Sequence, residues 1–167
     1  MNQAIKIMSY LFVIFLGGCG DSGNSAKKEP GGVAAAYSKT DLKKIKWIEG
    51  KWKGMYNGQP FYEIYELMND STLRVTSFDW NGKDSSNTSK SYVGWFDDAF
   101  YLGNEKNYKV TAISDSQIFM LPNYKAANTV LWKYRSDSSW DAILRGKTTQ
   151  TYLMERFDPF AKSISKP

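Results

Sequence analysis

From Lys51 to Phe157 the chain keeps one beat: a short stretch alternating apolar and polar residues, then two or three turn formers. The stretches run over 51–56, 61–68, 72–80, 90–96, 99–102, 108–112, 117–121, 129–134, 140–145 and 150–157. Between them stand Asn57-Gly58, Asn69-Asp70-Ser71, Asn81-Gly82, Asp97-Asp98, Gly103-Asn104, Ser114-Asp115, Ser136-Asp137 and Gly146-Lys147. Asn, Asp, Ser and Gly either tolerate a left-handed backbone or bond their own backbone, so each cluster reads as a reversal. Turns this short join sequential neighbours, so consecutive strands pair antiparallel, and no helical stretch interrupts the series. The expectation is an all-β fold, a closed up-and-down antiparallel β-barrel of about 8–10 strands with a short N-terminal helix at one end.

The composition fits. Aromatic residues make up 16% of the 167, with 6 Trp, 11 Tyr and 9 Phe, and such side chains suit a pleated, half-buried surface. The length suffices for one domain with a full core and no metal or disulfide. There is one Cys, so no internal disulfide can form. There is no His, which excludes a Ser-His-Asp triad, a Cys-His pair, a His metal site and a His-ligated haem; no cofactor is expected. The net charge of +5 is spread along the chain rather than blocked, which reads as a solvated surface and not as a nucleic-acid footprint.

Ahead of the first strand lies a single amphipathic helix. Ser38 or Thr40 can cap it, Asp41 suits its first turn, and Leu42, Ile45 and Ile48 recur on one face, with Lys43, Lys44 and Lys46 opposite. Gly50 ends it. A helix this short needs an apolar partner, and one end of a barrel supplies it. The Asn69-Asp70-Ser71 hairpin sets a register. With a three-residue turn Met68 faces Thr72 and Glu66 faces Arg74, pairing opposite charges on the wet face. Glu63, Tyr65, Leu67, Leu73, Val75 and Ser77 then point inward, and a one-residue slip would reverse every one of them.

The N-terminus reads as an export signal. Lys6 precedes an apolar run, Ile7 to Leu16, too short for a permanent span, followed by Leu16-Gly17-Gly18-Cys19. A Cys after two small residues resembles a bacterial lipobox, which implies cleavage before Cys19 and lipidation of its thiol. Several acyl chains at about 0.8 kcal/mol per buried CH₂ anchor a protein stably. Gly20, rather than Asp, follows the Cys, which by analogy with bacterial sorting permits the outer membrane. The expected organisation is a signal peptide over 1–18, a flexible tether over 19–37, a barrel over 38–160 and a tail over 161–167. The tether contains Asp21-Ser22-Gly23-Asn24-Ser25 and Pro30-Gly31-Gly32, too polar and flexible to order alone.

At Gly50-Lys51-Trp52, after a short helix, the sequence resembles the Gly-X-Trp signature of the calycins: lipocalins, fatty-acid-binding proteins and nitrobindin-like barrels. Trp47-Ile48-Glu49-Gly50-Lys51-Trp52 also resembles the Trp-Leu-X-Gly-X-Trp opening of uncharacterised bacterial lipocalin-like domains, in which a Glu stands two residues before an aromatic, as Glu63 and Tyr65 do here. The resemblance spans about residues 42–157. It implies that an Arg on the last strand packs over the signature Trp at the closed end, a place that Arg156 matches, in a structural cation–π contact. Relatives often carry Pro-Glu-His-Asp-Phe-Pro on a later strand. Here that place reads Pro122-Asn123-Tyr124-Lys125-Ala126-Ala127, so any chemistry of those acids and that His is not carried over, nor is His-bound haem.

The expected structural residues are therefore Gly50, Trp52 and Arg156, with Cys19 as the lipidation site. Candidate ligand contacts are Glu63, Tyr65, Ser77 and Tyr124. Glu63 is the sharpest, because a carboxylate inside a barrel must be paired or protonated; Arg145, Arg156 or a Tyr hydroxyl could satisfy it. Three readings stand. The first is a lipid-anchored envelope barrel binding a small apolar or amphipathic ligand. The second is a filled barrel with a structural or interaction role. The third is a carboxylate-based enzyme, which ranks last because no two acids recur at a defined spacing.

Overall fold

The structure, a computed structural model, describes residues 37–159. A short helix, η1 (Asp41–Ile48), precedes ten strands. These are β1 (Gly50–Tyr56), β2 (Gln59–Asn69), β3 (Thr72–Trp80), β4 (Ser85–Phe96), β5 (Ala99–Leu102), β6 (Tyr108–Ser114), β7 (Gln117–Pro122), β8 (Thr129–Ser136), β9 (Ser139–Arg145) and β10 (Thr149–Arg156). Each strand pairs antiparallel with its chain neighbours, and β1 pairs with β10, so the sheet closes into a barrel with no free edge. Every strand finds both partners within residues 50–156, and Leu42, Ile45 and Ile48 of η1 complete the core from outside that span. The expected all-β, up-and-down barrel with a short helix at one end is the fold observed.

The register follows the charge argument where it matters. Glu66 stands opposite Arg74 and Leu67 opposite Leu73. Arg74 Nη2 and Nε both donate to Glu66 Oε2, at 2.9 and 3.1 Å. The next pair differs from expectation: Asn69, not Met68, faces Thr72, because Met68 is the extra residue of a bulge. The Asn69 side chain accepts from the Ser71 N–H at 2.9 Å, which tightens the turn by one residue. Further irregularities lie near Phe78, Thr111 and Arg135. Such bulges sharpen the local twist and help a sheet curl shut. One of them also extends β4, since residues 85–89, outside the stretches expected as strands, pair with β3 through a left-handed Asn87 at φ 50°.

The two ends of the barrel differ. η1 covers one end and buries Leu42, Ile45 and Ile48 completely. It is a 3-10 helix rather than an α-helix, kinked at Ile45, and its hydrogen bonding ends at Glu49. Residues spaced by three then share a face, which is the spacing of its three apolar residues. The Thr40 side chain makes no cap; instead Asp41 Oδ2 accepts from the Ser38 N–H at 2.7 Å. Tyr37 ties the start of the domain down, donating to the Val110 carbonyl at 2.6 Å and stacking on Phe100.

Above η1, four rings fill the closed half. Trp140 is fully buried, with ring centres of Tyr65, Trp132 and Trp52 at 5.4, 5.7 and 6.1 Å, all edge to face. That arrangement suits the quadrupoles of aromatic rings. Outside the sheet, Phe157 turns back over β2 and β3, its ring 4.7 Å from Tyr62 and 5.7 Å from Trp80. Tyr62 and Phe78, although outward by parity, are therefore buried.

Candidate functional site

The closed end is held by Gly50, Trp52 and Arg156. Trp52 lies on β1, buried, and its indole N–H donates to the Ile48 carbonyl at 2.6 Å. Arg156, at the end of β10 and opposite Trp52 in register, lays its guanidinium over the indole at 4.0 Å from the ring centre. The same guanidinium donates to the Glu49 carbonyl through Nη1 and to the Asp137 carbonyl through Nε at 2.9 Å. Gly50 is required by space and by conformation: its φ is +125°, and a Cβ there would collide with Arg156 Nη1. Glu49 accepts from the Leu67 N–H at 3.0 Å, serving a backbone donor that β1 is too short to reach.

The opposite half holds a cavity of about 60 Å³. It lies between the filled aromatic floor and the mouth formed by the loops around Gly103–Asn107 and Ala126. Phe61 and Glu63 of β2, Tyr108 of β6, Trp132 of β8 and Tyr152 of β10 line it, with Tyr65 at its base. Leu102, Val130, Leu144 and Met154 supply the aliphatic wall. Gly54 makes room beside Phe61, whose ring a Cβ at that position would strike.

Glu63 is the one carboxyl among the residues that line the cavity. Its place opposite both Trp52 and Ser77 puts it midway along the barrel, facing inward and only 3% exposed. The Tyr65 hydroxyl donates to Oε2 at 2.7 Å, and the Ser77 hydroxyl donates to Oε1 at 3.2 Å. Burial pushes the carboxyl up from 4.5 to about 7, against the pull of these two donors, because an ion in a dry interior loses its hydration. The Tyr65 hydroxyl is held well above its ordinary range, first by burial and then by the neighbouring carboxylate. Tyr108 is pushed up to about 12 by burial, despite the opposing hydrogen bond with Asn128 at 3.0 Å. The Tyr152 hydroxyl donates to Gln150 Oε1 at 2.6 Å and is also raised by burial.

Of the four candidate contacts, the structure brings Glu63, Tyr65 and Ser77 together and leaves Tyr124 apart. Glu63 and Tyr65 line the cavity, while Ser77 stands behind the carboxylate and holds it. Tyr124 sits on the loop between β7 and β8, half exposed, with Lys125 Nζ 4.8 Å above its ring. Of the partners expected for Glu63, a Tyr hydroxyl is the one used, whereas Arg156 is committed at the closed end and Arg145 is exposed at the mouth. Sequence reasoning missed Tyr108, Trp132 and Tyr152. The signal was present: each shares inward parity with buried neighbours on its strand, such as Val110, Val130 and Met154. Cys19, the signal segment, most of the tether and the tail lie outside the described residues. Among those described, no three His, Cys, Asp or Glu side chains gather where they could hold a metal ion.

No family model matches the chain. No curated protein matches it either. Among solved structures it is similar to a redesigned β-barrel, at 10% sequence identity and a TM-score of 0.36, over 74% of this chain and all of that one. Likeness at that level adds nothing to the barrel seen directly in the strand pairing.

Proposed function

We propose that this chain is a lipid-anchored bacterial envelope protein whose calycin-like barrel binds a small amphipathic molecule in its open half. The observation that supports the binding role is one interior carboxylate, held by two hydroxyls, on the wall of a cavity lined mostly by aromatic and aliphatic side chains, with Ser91 and Asn107 as the other polar ones besides the tyrosine hydroxyls. A filled structural barrel would gain more from an apolar residue at position 63, because a buried ionisable group is costly unless something uses it. The pattern of a few polar groups in a mainly apolar pocket is that of small-molecule sites. The lipid anchor is supported by Leu16-Gly17-Gly18-Cys19 after the short apolar run. On this reading the tether holds the barrel off the bilayer of the outer membrane.

Native mass spectrometry tests the binding role. The domain from residue 37 onward, purified without detergent, should carry a small molecule that denaturation releases. Ala142→Phe, which fills the cavity, should abolish that extra mass. A bare chain mass for the wild-type domain, with no gain in thermal stability from envelope extracts, would sink the ligand reading. Labelled palmitate tests the anchor, with incorporation expected in the full chain and lost in Cys19→Ser.

The aromatic packing of the closed half favours a second reading, a barrel with a structural role. It predicts that Ala142→Phe raises stability and leaves the protein's cellular role unchanged.

A further inference from the structure

We propose that the cavity selects a small organic ammonium, whose cationic head meets the Glu63 carboxylate and whose carbon chain lies among the surrounding rings. This rests on the ligand-binding reading above and names the class of molecule bound.

The charges facing the cavity decide the sign. Glu63 is the acid on its wall, and neither Lys nor Arg lines it. The titratable groups that face Glu63 are phenols: Tyr65 on its own strand and, across the cavity, Tyr108 and Tyr152. Their hydroxyls are raised, so they remain neutral donors at ordinary pH. From β1 and β3 the groups opposite it are Trp52 and Ser77, neither of them charged. Arg145 and Lys147 stand at the mouth, exposed, and form no part of the wall. Among the described residues, the ionised carboxylate thus has two hydroxyl donors and no cation beside it on the cavity wall. An anionic ligand would meet a like charge with nothing to offset it. A cationic one completes the pair that the interior lacks.

The rings add to the preference. Phe61, Tyr65, Tyr108, Trp132 and Tyr152 present five aromatic side chains to one small space. A desolvated ammonium is attracted to the negative face of such rings. The hydroxyls of Tyr65 and Ser77 fix the carboxylate before any ligand arrives, so little ordering remains to be done on binding. Each carboxylate oxygen receives one of these donors and keeps capacity for a second.

Binding then couples to protons. A bound ammonium favours the ionised carboxylate, so below about pH 7 the protein releases a proton to solvent as it takes the cation. Affinity should fall as pH drops through that range, by up to about tenfold per unit.

Three molecules of similar size and different charge test the inference: n-butylammonium, n-butanol and n-butyrate, titrated into the domain at pH 7.5 and followed by NMR shifts. The expected result is butylammonium binding at least tenfold more tightly than butyrate and severalfold more tightly than butanol. Glu63→Gln should remove the advantage over butanol and leave butanol itself within about twofold. Should Glu63→Gln fail to fold, calorimetry of the wild-type domain at pH 6.5 in two buffers of different ionisation enthalpy reads proton release directly. Butanol or butyrate binding as tightly as the amine, or amine binding without proton release, overturns the ammonium preference. If that binding is also lost in Ala142→Phe, the ligand cavity stands without the preference. If none of the three binds, or Ala142→Phe binds them all unchanged, both the preference and the ligand reading fall.

Discussion

The Arg156 guanidinium lies 4.0 Å from the centre of the Trp52 indole and reaches the carbonyls of Glu49 and Asp137 from that position. One side chain thereby joins the end of β10, the turn between β8 and β9, and the junction of η1 with β1. The planar fork makes this possible, since several N–H groups leave the same plane that stacks on the ring. Closure of the barrel between its first and last strands is short, with Trp52 opposite Arg156 and Lys53 opposite Glu155. The stacked pair reinforces that seam.

Trp52→Ala should cost about 3–5 kcal/mol in urea unfolding, because a buried indole is replaced by a void beneath the guanidinium. Arg156→Lys should cost about 1–2 kcal/mol, since an ammonium keeps the charge but cannot stack and donate to two carbonyls at once. A loss below about 1 kcal/mol for Trp52→Ala would contradict the role of this contact in closing the base.

Gly50→Ala tests the same corner from the backbone. At φ +125° a Cβ is strained, and here it also drives into Arg156. About 1–3 kcal/mol of destabilisation is expected. Combining it with Arg156→Ala removes the clash but not the strain, so the double variant should lose less than the sum of the two single ones. Strict additivity would show that the crowding has no energetic weight.

Glu63 gives the stability of the barrel an unusual pH dependence. Its folded value of about 7 lies above the ordinary 4.5, so between these values the native state binds more protons than the unfolded chain. Stability from this group is fully present below about pH 4.5 and is lost as pH rises through about 7. The span corresponds to about 3 kcal/mol. The difference in unfolding free energy between wild type and Glu63→Gln should therefore shift in favour of Gln by that amount from pH 4.5 to 8. A flat difference across the range would mean that the carboxyl titrates normally.

Glu66 and Arg74 should matter little. Their hydrogen bonds are well formed, but both side chains are partly exposed, at 44% and 26%. A double-mutant cycle to Ala should give a coupling of about 0.2–1 kcal/mol that shrinks in high salt. A coupling above about 2 kcal/mol would mean that the pair is dry.

Much of this architecture was legible along the chain. The turn clusters marked the reversals, and the Glu66–Arg74 pairing set the parity that turned Glu63, Tyr65 and Ser77 inward. What failed was local and has local causes. Met68 left the ladder because a side-chain bond from Asn69 tightened its turn. Residues 85–89 joined β4 because an Asn in the left-handed region let a polar segment keep pairing. Neither follows from hydropathy, which is blind to single hydrogen bonds and to φ.

By itself, then, the order of residues determined where most strands lie, the neighbour-to-neighbour pairing and the face on which Glu63 lies, because alternation and turn chemistry act between residues close along the chain. Closure alone decided that Tyr108, Trp132 and Tyr152 share a wall with Glu63, and that one half of the interior packs solid while the other stays open. Those relations join strands far apart along the chain, and they depend on the volumes of rings meeting across the barrel axis, which exist only once β1 has found β10.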